Sequence, residues 1–190
     1  CARLLRARLT VWGKPGRGDG QFNRPSGLTV SADGTVFVAD SRNHRVQWFT
    51  AGGEFLGKLG TPGSDPGLLD RPEDVAVAPD GTIVVADSRN HRIQRLTLSG
   101  EVVAVIGGYG TEPSYLSGPQ AVDVDAGGDV LVADTFNHRV QRFGPTGRWL
   151  GAWAALGSEP GLLNGPVGIA VAPDGSVWVS DSANQRVQRF

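Results

Sequence analysis

Three histidines recur at one spacing in this chain, and they are the first residues that could do chemistry. His44, His91 and His138 lie 47 residues apart, and Gln185 occupies the fourth position of the series. Imidazole is a common zinc ligand, and three imidazoles that meet on one axis would make a zinc site. A residue copied in every repeat is, however, typical of a duplicated turn on separate structural units. We therefore predict a structural role for the histidines, with no metal and no other cofactor.

Carboxylates that break the repeat form a second candidate site. At aligned positions near the first strand of each repeat, only some repeats carry acid, namely Asp74 in the second repeat and Asp123 and Asp125 in the third. Such a cluster near an axis could hold a metal ion that acts as a Lewis acid. No Ser-His-Asp or Cys-His arrangement is readable in the sequence. We predict that the chain is not an enzyme, and a metal-dependent lyase or hydrolase is the alternative.

A basic surface is the third candidate. The loops of the first two repeats carry arginines at positions where the last two repeats have glycine, alanine or phenylalanine, the last being Phe136. A basic face could attract phosphates, but acidic residues are interleaved with the arginines and few aromatic side chains are available to stack on bases. The formal net charge of −1 also gives no overall attraction to nucleic acid. We predict a protein or peptide partner, with nucleic acid as the weaker alternative. The arginines are Arg24, Arg42, Arg71 and Arg89.

The residues that must position these side chains belong to four tandem repeats of 47 residues. The copies read VADSRNHRVQWF (38–49), VADSRNHRIQRL (85–96), VADTFNHRVQRF (132–143) and VSDSANQRVQRF (179–190). A period of 20 to 50 residues indicates a solenoid, a propeller or an array. Repeats that cannot bury a face alone form one cooperative unit, so residues 1–190 are predicted to be a single domain.

Each repeat contains four short runs with the character of β-strands. In the first repeat they are residues 27–30, 35–39, 45–49 and 55–59, and the runs are separated by turns rich in Gly, Pro and Asp. The chain has 28 Gly in 190 residues, about twice the usual share of roughly 7%, as expected of an all-β protein with many turns. The predicted fold is an all-β propeller with four antiparallel blades of four strands.

The two ends of the chain suggest how the ring closes. An additional strand at residues 5–11 lies before the first complete repeat, and the chain ends with a third strand at 186–190. Pairing these two strands completes the fourth blade and covers an exposed edge. We predict a monomer closed by four blades, and an oligomer that completes a larger ring is the alternative.

The motif Asp-x-x-Asn-x-Arg recurs in the loop between the second and third strands. Asp and Asn side chains bond to nearby backbone groups in turns, so they are expected to cap this loop. The arginine is expected to pair with acids or carbonyls between blades. The predicted structural positions are Asp40, Asn43, Arg45, Asp87, Asn90, Arg92, Asp134, Asn137, Arg139, Asp181, Asn184 and Arg186.

The repeat resembles the NHL repeat, most clearly in residues 24–49 and 165–190. The resemblance covers all four units and implies a β-propeller, although proteins with this repeat usually have six blades. It also implies a range of functions, because enzymes with related propellers use a metal at the ring centre and some animal relatives bind single-stranded RNA on a basic face. Bacterial relatives are often extracytoplasmic, so that location is plausible for this chain.

The sequence as a whole favours a non-catalytic interaction scaffold that binds a protein, a peptide or a small polar ligand on its loop face. A repeat fragment or engineered array without a selected function is a further alternative. The single cysteine, Cys1, excludes an intrachain disulfide, and the absence of Met predicts a processed or excised piece. No apolar run approaches the length of roughly 18 residues that a transmembrane helix needs.

Overall fold

The computed structural model describes residues 10–190 and contains four antiparallel sheets in chain order. Each of the four main hairpin units places a 3₁₀ turn between its second and third strands, at Ser41–Asn43, Ser88–Asn90, Thr135–Asn137 and Ser182–Asn184. The strands are β1 (Lys14–Pro15), β2 (Gln21–Phe22), β3 (Pro25–Val30), β4 (Val36–Asp40), β5 (Arg45–Phe49), β6 (Phe55–Leu59), β7 (Pro72–Val77), β8 (Ile83–Asp87), β9 (Arg92–Leu96), β10 (Val102–Gly107), β11 (Ala121–Val124), β12 (Val130–Asp134), β13 (Arg139–Phe143), β14 (Trp149–Trp153), β15 (Pro166–Val171), β16 (Val177–Asp181) and β17 (Arg186–Arg189).

The sheets are the blades of a β-propeller. Blade one is β3 to β6, blade two β7 to β10, blade three β11 to β14, and blade four contains β15 to β17. The predicted all-β fold with four antiparallel blades is thereby confirmed. The strand predicted to complete blade four falls on residues 5–11, of which 5–9 lie outside the described residues, so closure by that strand stays a prediction. Among residues 10–190, no helix is long and apolar enough to cross a membrane.

Glycine in the first hairpin of each blade forms the turn that the sequence predicts. Gly34, Gly81, Gly128 and Gly175 have φ of 87°, 81°, 87° and 84°, a region that favours glycine. In blade one the Gly34 N–H donates to the carbonyl of Ser31 at 2.9 Å. These turns lie at one end of the strands. The 3₁₀ turns and the long connections between blades lie at the other end, which we call the loop face.

The core consists of the seams between successive blades. Alternate residues of a strand point to opposite faces of a sheet, so each blade has a trailing face toward the next blade and a leading face toward the previous one. Phe37 and Val46 on the trailing face of blade one pack in one cluster with Val75 and Val85 on the leading face of blade two. Similar clusters join blade two to blade three and blade three to blade four. The apolar blade faces thus bury each other.

The long connections between blades also contribute to the core. Leu69, Leu116 and Leu163 are the second residues of the apolar pairs in these connections, and each is fully buried. The first member of each pair lies nearer the surface, as with Tyr115, which is 48% exposed. The connections are therefore packed against the blades, and they place their remaining side chains on the loop face.

Candidate functional site

The repeated Asp-x-x-Asn-x-Arg-x-Gln motif forms one hydrogen-bond cluster in every blade. In blade one, Oδ1 of the buried Asp40 accepts from the backbone N–H of Asn23 at 2.7 Å. Oδ2 accepts from Asn43 Nδ2 at 2.8 Å, Arg45 Nε at 2.8 Å and Gln47 Nε2 at 3.1 Å. A buried carboxylate needs such partners to offset its lost hydration. The same contacts surround Asp87, Asp134 and Asp181.

These contacts correct one detail expected from the sequence and agree with another. Asp40 does not cap a backbone N–H of its own 3₁₀ turn, and the backbone N–H that its carboxylate accepts belongs to the connection that enters the blade. Arg45 pairs with Asp40 of its own blade, and its Nη2 donates to the carbonyls of Gly18 and Gln21 in that same connection. Nη1 of Arg45 also lies 3.8 Å from Oδ1 of Asp19 in that connection. The equivalent arginines make the same carbonyl contacts in the connections between blades, as expected, so each arginine fastens the entry connection to its own blade.

The three histidines make one of the polar contacts between neighbouring blades. Nδ1 of His91 accepts from the backbone N–H of Gly118 at 3.0 Å, and Nδ1 of His138 accepts from Gly165 at 3.0 Å. In the first seam, His44 Nδ1 lies 3.3 Å from the backbone N of Arg71. Each histidine side chain thus contacts the backbone at the entry to the next blade. Within residues 10–190 no group of three or more His, Cys, Asp or Glu side chains could hold a metal ion.

Two of the acids that break the repeat, Asp74 and Asp123, lie on the first strands of their blades and link neighbouring blades. Asp74 accepts from its own blade at Val75 N, at 2.9 Å, and from blade three at Val122 N, at 3.0 Å. Asp123 likewise accepts from Val124 N at 2.8 Å and from Val171 N, in blade four, at 2.7 Å. Both carboxylates therefore join the inner strand of one blade to that of the next.

Burial changes the acidity of these two groups. Desolvation raises the pKa of the Asp74 carboxyl to about 6, and the nearby charge of Asp123 adds to the rise. Desolvation also raises the pKa of Asp123. In both groups the backbone N–H donors oppose the rise because they stabilise the ionised carboxylate.

Asp125 does not join Asp74 and Asp123. It lies beyond the end of β11 in the hairpin turn, where Oδ1 accepts from the backbone of Gly127 and Asp129 at 2.9 Å each. Its Oδ2 pairs with Arg142 Nη2 at 2.6 Å. The prediction that the three acids share one axial cluster is therefore wrong for Asp125, because the first strand of blade three ends one residue earlier.

The loop face of blades one and two carries a cavity with a basic lining. Arg17 and Arg42 are exposed, and no hydrogen bond or ion pair involves their guanidinium groups among residues 10–190. Arg24, by contrast, pairs with Glu73 at 2.9 Å, so its charge is balanced. The cavity has a volume of about 310 Å³ and is lined by Arg17, Arg42, Asn43, His44, Arg45 and Pro62. We call Arg17, Arg42, Arg71 and Arg89 the basic patch.

An aromatic patch lies on the same face at the next seam and consists of Tyr109 and Phe136. These side chains are 75% and 63% exposed. The Tyr109 ring packs on His91 with 4.8 Å between ring centroids, and Phe136 covers Gly118 closely enough that a Cβ at Gly118 would meet the ring. The sequence interpretation included Phe136 and missed Tyr109. The repeat register contains the signal, because Pro15, Pro62, Tyr109 and Leu156 are equivalent positions.

Comparison with known proteins identifies the repeat. The NHL repeat family model matches residues 22–49, 69–96, 116–143 and 163–190, more than half of the chain. Among curated proteins, Protein lin-41 of Caenorhabditis elegans is 46% identical over 50 residues, which are 26% of this chain and 4% of that protein. The chain thus spans only a small part of the length of that relative.

Solved structures with a similar fold are larger than this chain. A streptogramin B lyase structure has a TM-score of 0.66 and 18% identity, and the match covers 87% of this chain and 54% of the other. A gluconolactonase from Xanthomonas campestris has a TM-score of 0.69 and 19% identity, and the match covers 90% of this chain and 59% of the other. At these identities the likeness concerns the fold.

Proposed function

Because the chain belongs to the NHL-repeat family, we propose that it is a non-catalytic interaction scaffold that binds a protein or peptide on its loop face. The observation that carries this proposal is the pairing of two irregular surfaces there, the basic patch and the aromatic patch. Both occupy positions where the repeats differ from one another. The Asp, Asn, Arg and Gln side chains that recur in every repeat instead form hydrogen bonds with each other inside the protein.

The basic patch supports a partner with carboxylates. Arg42 and Arg89 are equivalent residues of neighbouring blades, both are exposed, and each is the middle residue of a 3₁₀ turn. Guanidinium groups bind carboxylates in charge-assisted and often bidentate hydrogen bonds. The cavity beside Arg42 gives an acidic side chain a concave place to enter.

The aromatic patch supports an apolar residue in the same partner. Exposed aromatic side chains that are held in place by their neighbours are typical anchors of protein interfaces. Phe136 is held against Gly118 and Tyr109 against His91, so neither ring loses much freedom on binding. An acidic segment that also carries an apolar or aromatic residue would match both patches.

The contacts of Asp74 and Asp123 favour a structural role for these acids, in which they hold neighbouring blades together, over a role in catalysis. Both oxygens of Asp74 and both of Asp123 already accept backbone N–H groups. The lyase and the gluconolactonase with similar structures are 18% and 19% identical to this chain, and at these identities the likeness concerns the fold. A metal-dependent lyase or hydrolase remains the alternative, and stoichiometric metal in the purified protein that Asp123→Ala removes would support it.

Selection from a phage-displayed library of 12-residue peptides tests the proposal. The protein should enrich sequences with several Asp or Glu residues and at least one aromatic residue, and these peptides should bind Arg42→Ala/Arg89→Ala about tenfold more weakly. The control is Arg148→Ala, which removes an exposed arginine away from the loop face.

Two results would contradict the proposal. One is enrichment of the same peptides on the wild type and on the Arg42→Ala/Arg89→Ala variant. The other is salt-sensitive binding of a single-stranded oligouridine probe that the same variant abolishes, with no peptide enriched, since that result would identify a nucleic-acid module.

A further inference from the structure

A second cavity lies at the end of the blades opposite the loop face, where blades one and two meet. Its volume is about 610 Å³, which is in the usual range for sites that bind small molecules. Phe37 and Trp48 line it with aromatic rings whose centroids are 5.9 Å apart, and Asp33 lines it with a carboxylate. Neither the basic patch nor the aromatic patch contributes to this cavity.

In the other three blades, an arginine of the third strand pairs with acids of the first hairpin. The three arginines occupy one position of the repeat, and the distances between their nitrogens and the carboxylate oxygens are 2.6 to 2.8 Å. The pairs are Arg95 with Asp80, Arg142 with Asp125 and Asp129, and Arg189 with Asp174. A guanidinium group thus neutralises the hairpin carboxylate of each of these blades.

Blade one has the hairpin acid without the arginine. Asp33 is equivalent to Asp80 of blade two, and Trp48 occupies the position of the arginine. Oδ1 of Asp33 accepts from Ser31 Oγ at 2.5 Å and from the backbone N–H of Thr35 at 3.0 Å. These hydrogen bonds lower the pKa of the Asp33 carboxyl, so it is ionised at neutral pH.

The second oxygen of this carboxylate is the one that matters for a cation. In blades two and four, Oδ2 of the hairpin aspartate accepts from the arginine, at 2.8 Å in Asp80 and 2.7 Å in Asp174. Among residues 10–190, Oδ2 of Asp33 accepts no hydrogen bond and forms no ion pair. Blade one therefore presents to the cavity the atom that binds a guanidinium group in its neighbours.

The other acceptors of a guanidinium group also have equivalents on the cavity wall. In blade two, Arg95 Nε donates to Thr82 Oγ1 at 2.8 Å, and Nη1 donates to the carbonyl of Pro145, in blade three, at 3.0 Å. The residues 47 positions earlier are Thr35 and Leu98, and both line the cavity with Asp33. The seam between blades one and two thus contains the same set of acceptors, without an arginine between them.

The tryptophan that replaces the arginine also suits a cation. The faces of aromatic rings attract guanidinium groups, most strongly in Trp. Blade four combines the two interactions, because the guanidinium carbon of Arg189 lies 5.7 Å from the centroid of the Trp178 ring while the same group pairs with Asp174. Asp33 and the rings of the cavity give blade one a carboxylate and aromatic surface for the same purpose.

We propose that this cavity binds a small molecule that carries a guanidinium group on an apolar chain. The guanidinium group donates to Asp33 Oδ2 and to the Leu98 carbonyl, as Arg95 does to the equivalent atoms of the next seam. The apolar chain packs on Trp48 and Phe37. This site goes beyond the proposed binding of a peptide, because it lies at the opposite end of the blades and selects the opposite charge.

Titration of ¹⁵N-labelled protein with butylguanidinium chloride tests the proposal. The signals of the Thr35 backbone N–H and of the Trp48 indole N–H should shift, with a dissociation constant on the order of 1 mM for a ligand of this size. Butylurea has nearly the same shape without the charge. It should bind at least about tenfold more weakly, because it cannot pair with a carboxylate.

Two substitutions locate the binding. Asp33→Asn keeps the acceptor for Thr35 N and removes the charge, so it should weaken binding about tenfold. Trp48→Arg supplies the arginine of the other blades and should abolish binding. Asp174→Asn, at the equivalent acid of blade four, is the matched control and should bind as the wild type does. Arg42→Ala/Arg89→Ala should also bind normally, so failure at one site is distinguishable from failure at the other.

Three results would overturn the proposal. These are equal affinity for butylguanidinium and butylurea, unchanged affinity in Asp33→Asn with wild-type circular dichroism, and no response of the wild type at about twenty times the expected dissociation constant. A preference of about tenfold for the peptide acetyl-Ala-Arg-Ala-amide over butylguanidinium would replace the small molecule with an arginine of a partner.

The chain itself is another source of a guanidinium group. Arg3, Arg6 and Arg8 lie outside the described residues. If butylguanidinium bound only to Arg3→Ala/Arg6→Ala/Arg8→Ala and not to the wild type, one of these arginines would be the occupant, and the proposal of a separate ligand would be wrong. Equal binding to both proteins is the expected result.

Discussion

Blade two and blade four contain nearly the same repeat motif, yet their environments differ. Ile93 of blade two is fully buried, whereas the equivalent Val187 of blade four is 64% exposed. The polar cluster behaves differently, because Asp87 and Asp181 are both 0% exposed. The Asp cluster is therefore built within one repeat, and burial of the apolar face depends on the neighbouring blade. This contrast separates what holds a blade together from what holds blades to each other.

The largest expected loss of stability comes from a charge placed at the buried position of this comparison. Ile93→Asp places an unpaired carboxylate in the seam between blades two and three, and we expect it to abolish cooperative unfolding. Val187→Asp should change the free energy of unfolding of the isolated chain by less than about 1 kcal/mol, because the residue is exposed. Urea titrations followed by tryptophan fluorescence, at concentrations low enough to keep the chain monomeric, measure both. Equal losses would contradict the contrast.

Removal of the aspartate carboxylate tests the hydrogen-bond cluster that every blade contains. Asp87→Ala leaves the side chains of Asn90, Arg92 and Gln94 without their common acceptor and should lower the free energy of unfolding by about 3 to 5 kcal/mol. Asp181→Ala should cost less, since Arg186 is 26% exposed and Arg92 only 10%. Denaturant midpoints rank the two variants, and a larger loss in Asp181→Ala would be the contrary result.

The next largest loss of stability is expected where the first strands of blades one and two lie close together. A Cβ on Gly27 would overlap the carboxylate and the Cα of Asp74 across the first seam. Gly27→Ala should therefore lower stability by about 3 kcal/mol, since the strands must separate. Gly151→Ala is the matched control, because nothing lies within 4 Å of the added Cβ. A thermal transition of Gly27→Ala that equals that of the control would show that the seam yields without cost.

The smallest effect concerns the protonation of Asp74, one of the acids that break the repeat. Because burial raises the pKa of Asp74 from 3.8 to about 6, the folded state binds the proton more tightly than the unfolded state between these values. The stability linked to this proton is present below about pH 4 and is lost as the pH rises to about 6, by roughly 2 kcal/mol. Asp123 should contribute in the same direction.

Asp74→Asn isolates that contribution. The amide cannot ionise, so the stability of the variant relative to the wild type should rise between pH 4 and pH 7. The amide has one acceptor oxygen where the carboxylate has two, so the lost backbone hydrogen bond adds a cost that does not depend on pH. Free energies of unfolding at four pH values between 4 and 7 measure the difference. A difference that does not change with pH would show that Asp74 titrates normally in the folded protein.

Much of the fold could be predicted from the sequence because its information is local and repeated. The 47-residue period and the glycines at positions such as Gly34 specify strands, turns and blades, and the structure has them at the expected places. The candidate site was harder to predict. Tyr109 and Phe136 are far apart in the chain. They lie at the same seam because His91, on which Tyr109 packs, accepts from Gly118, which Phe136 covers.

Other details depended on where a strand ends. Asp125 has the residue type of an axial acid, but β11 ends at Val124, so its carboxylate belongs to a turn and pairs with Arg142. Asp40 has the residue type of a turn cap, but its carboxylate accepts from the entering connection at Asn23. Periodicity places residues on elements, and it does not tell which neighbour a polar side chain will reach.

The amino-acid sequence by itself determined the blade, since hydrogen bonding within one repeat, alternation along each strand and turn chemistry are all local. Tertiary structure decided which blade faces are covered. Burial of Ile93 or exposure of Val187 depends on whether another blade follows, and no residue within a single repeat contains that information. The hydrophobic contribution comes from the pairing of two faces, so it exists only where the arrangement of blades supplies the second face.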